Sequence, residues 1–293
     1  MADSMSRAQW TASSMGSRCG AARAENRIKP QEETMIANYH THTARCHHAK
    51  GTERDYIEAA IARGLTVLGF SDHAPHFFGQ CGYVSGCRML PHELEDYVRT
   101  LTDLRREYRD RIDIRIGLEL DYYPARFEET VKHILSFPEI EYLIYGQHWL
   151  SNEYDSTWVG DPGADDNALL RYTLQAKEAL STGLYSCFCH PDFFRFDGDD
   201  AVYRRHMEPL LCWVKEQNLP VEINLSGYLG NRWYPKEALW KIVSEVGCRV
   251  ILGVDAHRPD SLTETETEKK ALALCQRLGI ILEDRMTLID PRG

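Results

Sequence analysis

A chain of 293 residues, 43% hydrophobic and 27% charged, has an ordinary globular composition and is long enough to bury one large core. Its formal net charge of -10 excludes the broad basic footprint of a protein that holds nucleic acid by its phosphates. No apolar run reaches the length needed to cross a bilayer, and nine cysteines, an odd number without paired CxxC elements, fit a reducing, cytoplasmic setting better than a disulfide framework.

Residues 1–34 are rich in Ser, Ala, Arg and Gly, show no hydrophobic period and lack the apolar stretch of a secretory signal. They read as a disordered extension, with Met35 as a candidate natural start and residues 35–293 as a single domain. From there strands and helices alternate. Residues 35–40 read as a strand, and 53–63 as a helix with Tyr56, Ile57, Ala60 and Ile61 on one face and a stop at Gly64. The run 66–71 is apolar throughout, as in a buried parallel strand. After a long loop, 76–90, come an amphipathic helix over 91–108, a strand over 113–120, a helix over 125–136 and a strand over 142–147. A loop over 152–165, rich in Asp, Gly and Tyr, leads to a helix over 166–182 and a strand over 185–190. Helix 199–217, strand 221–225, helix 235–246, strand 250–254 and a long helix over 262–278 follow, with short closing segments at 280–283 and 286–289. About seven strand–helix units predict an α/β barrel or an open doubly wound sheet. Neither GxGxxG nor a Walker sequence is present, so the nucleotide-binding open sheets lack their usual motif.

In both architectures chemistry gathers at strand C-termini. The first strand ends in His40-Thr41-His42, and residues i and i+2 of a strand share a face, so the two imidazoles aim at one place. His47 and His48 follow in the loop. The later strands end in Ser71-Asp72-His73, Glu119-Leu120-Asp121, Gln147-His148, His190-Pro191-Asp192, Glu222-Ile223-Asn224 and Asp255-Ala256-His257. One such end is an ordinary solvated loop residue; a His, Asp or Glu at the same end of every strand is a poor fit to chance. Imidazoles with a few carboxylates suit Zn, Mn or Fe better than Mg or Ca. The candidates exceed the needs of a single ion. A multinuclear site of two to three divalent ions is therefore expected, with a carboxylate such as Glu119 bridging two of them and an activated water as nucleophile. Cys81 and Cys87 form a lesser candidate pair, for a disulfide or a metal.

The ordered set His-x-His-Thr, Ser-Asp-His, Gly-x-Glu, Gly-x-His, His-Pro-Asp and Asp-Ala-His resembles the polymerase-and-histidinol-phosphatase (PHP) family of metallophosphoesterases over roughly residues 35–290. Arg-Met-Leu-Pro-His-Glu-Leu at Arg88–Leu94, and the stretch from Glu222 through Gly227 to Arg232-Trp233-Tyr234-Pro235, are similar to its monofunctional histidinol-phosphate phosphatases. The resemblance implies a distorted (β/α)7 TIM-like barrel with a trinuclear metal centre. It implies His40, His42, Glu119 and Asp255 as ligands of one ion, Glu119, His148 and His190 of a second, and His48, His73 and His257 of a third. It selects His48 over His47, and it implies Arg195 and Arg232 as phosphate-binding residues, a task that suits the bidentate guanidinium. Asp72 and Asp192 are candidates to orient ligand imidazoles or to supply the acid for the leaving alkoxide. The loops carrying Phe77, Phe78 and Tyr83, and Tyr154 and Trp158, either wall a site for an imidazole and an ammonium group or pack against one another. The implied activity is hydrolysis of L-histidinol phosphate, a small-molecule substrate of histidine biosynthesis, by a cytoplasmic monomer or small homo-oligomer. Another small phosphate ester, such as a nucleotide or sugar phosphate, is the alternative. An amidohydrolase-like barrel would carry a Lys ligand at a middle strand, and no strand end here offers one.

Overall fold

Parallel pairing in sequence order defines the architecture of the computed structural model, which describes residues 35–78 and 82–293. The extension expected over 1–34 and the Cys81 half of the cysteine pair lie outside the described residues. The strands are β1 (Ala37–Asn38), β2 (Val67–His73), β3 (Asp113–Glu119), β4 (Tyr142–Tyr145), β5 (Tyr185–Phe188), β6 (Val221–Asn224) and β7 (Val250–Gly253). Each pairs in parallel with the next, in the order β1 to β7. Closure comes just beyond the short first strand. His42 N–H donates to Ala256 O (2.9 Å), Ala256 N–H to His40 O (3.3 Å), and Val254 N–H to the Asn38 side-chain oxygen (2.9 Å). The sheet is thus a nearly closed, distorted (β/α)7 barrel and not an open doubly wound sheet.

Strand alternation separates two cores. Inside the ring lie Ala37, Tyr39, Val67, Tyr142, Ile144, Cys187, Cys189 and Ile251. Tyr142 fills the middle, and its hydroxyl donates toward Tyr39 O (2.9 Å) and Phe70 O (3.1 Å). Gly69 and Gly117 make room for it, since a Cβ at either would strike its ring. The outward side chains of the strands pack under the helices in the larger core; each Leu, Ile or Val fully buried there contributes about 1.5–3 kcal/mol.

The helices are α1 (Glu53–Arg63), α2 (Leu94–Tyr108), α3 (Phe127–Ile134), α4 (Asp166–Leu180), α5 (Asp200–Glu216), α6 (Leu225–Leu229), α7 (Glu237–Val246), α8 (Pro259–Thr263) and α9 (Glu266–Leu278). A reciprocal Thr52–Asp55 capping box starts α1, and Gly64 at φ 88° ends it. Three expectations change. The single helix expected over 262–278 is two, because Glu264 turns extended and its carboxylate caps the N–H groups of Glu266 and Thr267. Leu225, expected to end the sixth strand, instead begins the short α6, opened by the Asn224 side chain accepting from Ser226 N–H (3.0 Å). The first strand keeps two residues of the six expected, because Asn38 side-chain bonds replace sheet pairing beyond it. The closing segments cover the far end of the barrel, where Glu283 N–H reaches Val250 O (2.8 Å) and Ile289 N–H reaches the Ser186 hydroxyl (2.8 Å). Cys187 and Cys189 are buried, whereas Cys212 and Cys248 are partly so. Among the described residues no helix is long and apolar enough to cross a membrane.

Candidate metal centre

Glu119, fully buried at the end of β3, is the hub of the strand-end cluster. Its Oε1 lies 2.8 Å from His190 Nε2 and 3.7 Å from His148 Nε2. Its Oε2 lies 2.9 Å from His73 Nδ1, 3.5 Å from His40 Nε2 and 3.6 Å from His42 Nε2. Rings from the first, second, fourth and fifth strand ends therefore meet one carboxylate. The glycine before Gln147-His148 has a physical reason, since a Cβ at Gly146 would strike the Glu119 carboxylate. Asp255, after β7, closes the ring with Oδ1 at 2.9 Å from His42 Nε2 and 3.6 Å from His40 Nε2. His190 and Asp255 both sit at positive φ, 29° and 51°. Such backbone costs on the order of 1–3 kcal/mol and is found where a site requires it.

Nitrogen and oxygen atoms group in ways that suit more than one cation. His40, His42 and Glu119 bring ligand atoms within 4.8 Å of one another, as do His48, His73 and His257, and His40, His190 and Asp255. His48 stacks on His257 (4.6 Å between ring centres), while His47, at positive φ, points to Glu93 on the other side (3.8 Å).

Three ligand-type rings are fixed from behind by carboxylates. Glu222 Oε1 lies 2.8 Å from His40 Nδ1, Asp72 Oδ1 3.3 Å from His42 Nδ1, and Asp121 Oδ1 3.1 Å from His148 Nδ1. Backbone carbonyls do the same for His48 (Cys46 O, 2.8 Å) and His257 (Asp255 O, 3.1 Å). A partner on one ring nitrogen sets the tautomer and turns the other toward the centre, which is how proteins orient metal-binding imidazoles. Of these carboxylates only Asp72 was expected to orient an imidazole; Asp121 and Glu222 were noted as strand-end residues without that role. Asp192 is placed differently. Its carboxylate accepts from Lys236 N–H (2.7 Å) and Trp240 Nε1–H (2.9 Å), so it anchors the start of α7 and bonds no ligand ring. Burial pushes its pKa up to about 6.

The inward-facing atoms fit a cation. His40 Nε2, His42 Nε2, His73 Nδ1, His257 Nε2 and Glu119 Oε2 are buried yet make no hydrogen bond of proper geometry, although they lie a few ångströms apart. Buried polar atoms are seldom left so. Electrostatics agrees. Burial alone would raise the pKa of Glu119, but the surrounding His148, His40 and His73 hold it well below the usual carboxylate range. Asp255 is likewise depressed, burial being outweighed by His40, His257 and His42. Burial opposes charge on His42, yet Asp255 and Asp72 raise its pKa to about 9, while burial and the charge of His42 lower His257 to about 3. Buried carboxylates here demand positive charge at their centre, and several rings offer neutral nitrogens to a shared cation.

Above this floor opens a cavity of about 430 Å³. His48, His73, His148, Asp255 and His257 form its base, Trp149, Trp158 and Phe193 an aromatic wall, and Arg88 and Arg232 its cations. Arg232 is thus brought to the site. Arg195 is not in this lining: its guanidinium lies over the Trp233 ring (5.4 Å) and pairs with Asp197 (3.1 Å). The rim aromatics divide in the same way. Phe78, Tyr83 and Tyr154 pack on one another at 5.0–6.1 Å, whereas Trp158 faces the cavity. Trp149 and Phe193 were missed in the sequence; each stands one or three residues after a strand-end histidine, which is the signal that could have found them.

A parallel β/α barrel with imidazoles and carboxylates converging at its strand C-termini places this chain among barrels built around a metal centre. The model of the PHP domain matches residues 38–226, and the chain belongs to that family. It is 31% identical over 241 residues to a Deinococcus radiodurans protein named "Probable histidinol-phosphatase", covering 77% of this chain and 88% of that one. A Schizosaccharomyces pombe protein of the same name is 27% identical over 251 residues, covering 77% and 81%. The fold is that of a Lactococcus lactis histidinol phosphate phosphatase crystallised with zinc, L-histidinol and phosphate (TM-score 0.66, 21% identity, covering 86% of this chain and 99% of that one).

Proposed function

We propose that this protein is a metal-dependent phosphomonoesterase that hydrolyses L-histidinol phosphate to L-histidinol and phosphate. The observation that carries the reading is the Glu119 hub, with three ligand groups beneath a cavity lined by Arg88, Arg232 and an aromatic wall. The names of the Deinococcus and Schizosaccharomyces relatives and the ligands of the Lactococcus enzyme support the substrate. His40, His42, His48, His73, Glu119, His148, His190, Asp255 and His257 would hold two to three ions of the Zn, Mn or Fe type. Once bound, such ions lower the pKa of water and neutralise phosphoryl charge.

The chain's own side chains do the rest. Arg232 pairs with the phosphate dianion from the cavity wall. Glu222, Asp72 and Asp121 keep His40, His42 and His148 in fixed tautomers, so the floor needs no reorganisation when charge develops. Trp149, Trp158 and Phe193 offer flat apolar faces to an imidazole and, for the tryptophans, a π surface to an ammonium group. Arg195, held on Trp233 and Asp197, has no direct role in this reading. Asp72 and Asp192 both bond away from the cavity, so neither serves as the leaving-group acid.

The test is a panel of phosphomonoesters offered to protein reloaded with Mn²⁺ or Zn²⁺. Histidinol phosphate is expected to be hydrolysed at least about 100-fold more efficiently than nucleotide, sugar or aryl phosphates, a gap of roughly 2.7 kcal/mol in transition-state binding. Equal kcat/KM across the panel would overturn the substrate and leave the phosphoesterase class standing.

A further inference from the structure

Arg88 is a buried cation that this reaction does not use. It stands in the cavity wall, yet no donor of its guanidinium remains for a substrate. Nε donates to Glu153 Oε2 (2.5 Å), Nη1 to Ala74 O (3.3 Å) and Asp121 Oδ2 (3.2 Å), and Nη2 to Asp121 Oδ2 (3.2 Å) and Tyr123 OH (3.2 Å). These bonds account for all of the guanidinium N–H groups. On one side, Asp121 holds His148 by its ring (3.1 Å) and its backbone N–H (2.7 Å). On the other, Glu153 accepts from Tyr83 OH (2.8 Å) and meets Cys87 Sγ (3.5 Å). Tyr83 and Cys87 belong to the rim loop after β2, and Glu153 to the rim loop after β4. A continuous path therefore runs from His148 through Asp121, Arg88 and Glu153 to both loops. Glu222 and Asp72, which brace His40 and His42, bond no arginine among the described residues.

We propose that Arg88 is a positioning residue that couples the two rim loops to metal binding at His148. The coupling rests on the reading of His148 as a ligand. Removing Arg88 would leave Asp121 and Glu153 buried without their counter-charge, a costly state that the carboxylates relieve by moving, and Asp121 carries the His148 ring with it. Coupling between sites is reciprocal: an ion that fixes His148 also fixes Asp121, Arg88, Glu153 and the loops they anchor.

The experiment compares apo and metal-reloaded protein by hydrogen exchange in residues 82–90 and 152–165, and by calorimetric titration with Mn²⁺. In the wild type, exchange in both loops is expected to slow at least about five-fold as the last ion binds, the signature of suppressed local opening. Glu153→Gln leaves the Asp121–His148 contact in place, so its metal affinities should stay within a few-fold of the wild type while metal no longer slows exchange in the loops. Arg88→Met should weaken one ion by about 10–100-fold, the usual loss when an outer partner of a ligand is removed, and Arg88→Lys should recover only part of it. Unchanged affinities in Arg88→Met, or loops that respond to metal equally in wild type and Glu153→Gln, would overturn the coupling. If Arg88→Met does not fold, Glu153→Gln alone decides. Full metal stoichiometry in His148→Ala would instead remove His148 from the ligands, a separate failure that the exchange data do not mimic.

Discussion

The floor of the barrel mouth and the rim above it are built by different means. On the floor, every group but His48 stands within a few residues of a strand end, so the sheet fixes where it can be. Other strand ends then supply its partner: Asp72 on the adjacent β2 reaches His42, and Glu222 on β6 reaches His40 past β7. On the rim, long loops settle by packing. Phe78, Tyr83 and Tyr154 find one another, Arg195 finds Trp233, and Trp158 is left facing the cavity. Floor positions follow from the sheet, whereas rim positions follow from side-chain competition. Damage to the floor should therefore abolish metal binding and chemistry together, and damage to the rim should change selectivity or stability while the metals remain.

The largest effect falls at the hub. Glu119→Gln removes the charge shared by His40, His42, His73, His148 and His190, and is expected to lower turnover by more than about 10³-fold and to lose at least one equivalent of metal. Phosphate release beside elemental analysis checks both, and full metal content with full activity would take Glu119 out of the site. One step back, Glu222→Gln frees the His40 tautomer without removing the ring. Metal affinity should fall by about 10–100-fold, read by competition with a chelator; an unchanged affinity would mean that sheet geometry alone fixes His40.

On the rim, Trp158→Ala should raise KM for histidinol phosphate by about five- to ten-fold, the worth of one exposed cation–π or stacking contact. Its kcat, and its kinetics on a small aryl phosphate, should hardly move. A fall in kcat for both substrates would show that the wall supports the floor after all. The smallest effect is on stability. Burial, then the charge of Arg88, lowers the pKa of His76 to about 3. An imidazole of ordinary pKa near 6.5 in the unfolded chain takes up a proton that the folded state refuses. The folded state is therefore unaffected by His76 above about pH 6.5 and loses stability as the pH falls toward 3. At pH 5 the loss is about 2 kcal/mol, from 1.36 kcal/mol per pH unit. His76→Phe should shrink the acid-induced drop seen in urea unfolding of the metal-free protein by about that amount, and an equal drop in both proteins would show that His76 is not the source.

The sequence made the floor legible because strand period and chain order suffice to put His40, His42, His73, Glu119, His148, His190, Asp255 and His257 at one end of a barrel. It did not reveal which carboxylate stands behind which ring. Glu222 and His40 are 182 residues apart and meet only through barrel closure. Asp192 looked equivalent to Asp72 in the sequence, but the N–H groups of Lys236 and Trp240 at the start of α7 capture it. Arg195 and Arg232 were alike as loop arginines after adjacent strands, and the stacking surface of Trp233 separates them. Helix signals were read well where the cap was local, as at Gly64. They were read too generously at 262–278, where a side-chain cap from Glu264 restarts the helix.

The most direct measurement is a titration of apo protein with Mn²⁺, following phosphate release from histidinol phosphate against equivalents bound. A multinuclear floor predicts negligible turnover until more than one equivalent is bound, and a plateau at two to three. Full turnover in the metal-free protein, or a plateau at one equivalent, would contradict it.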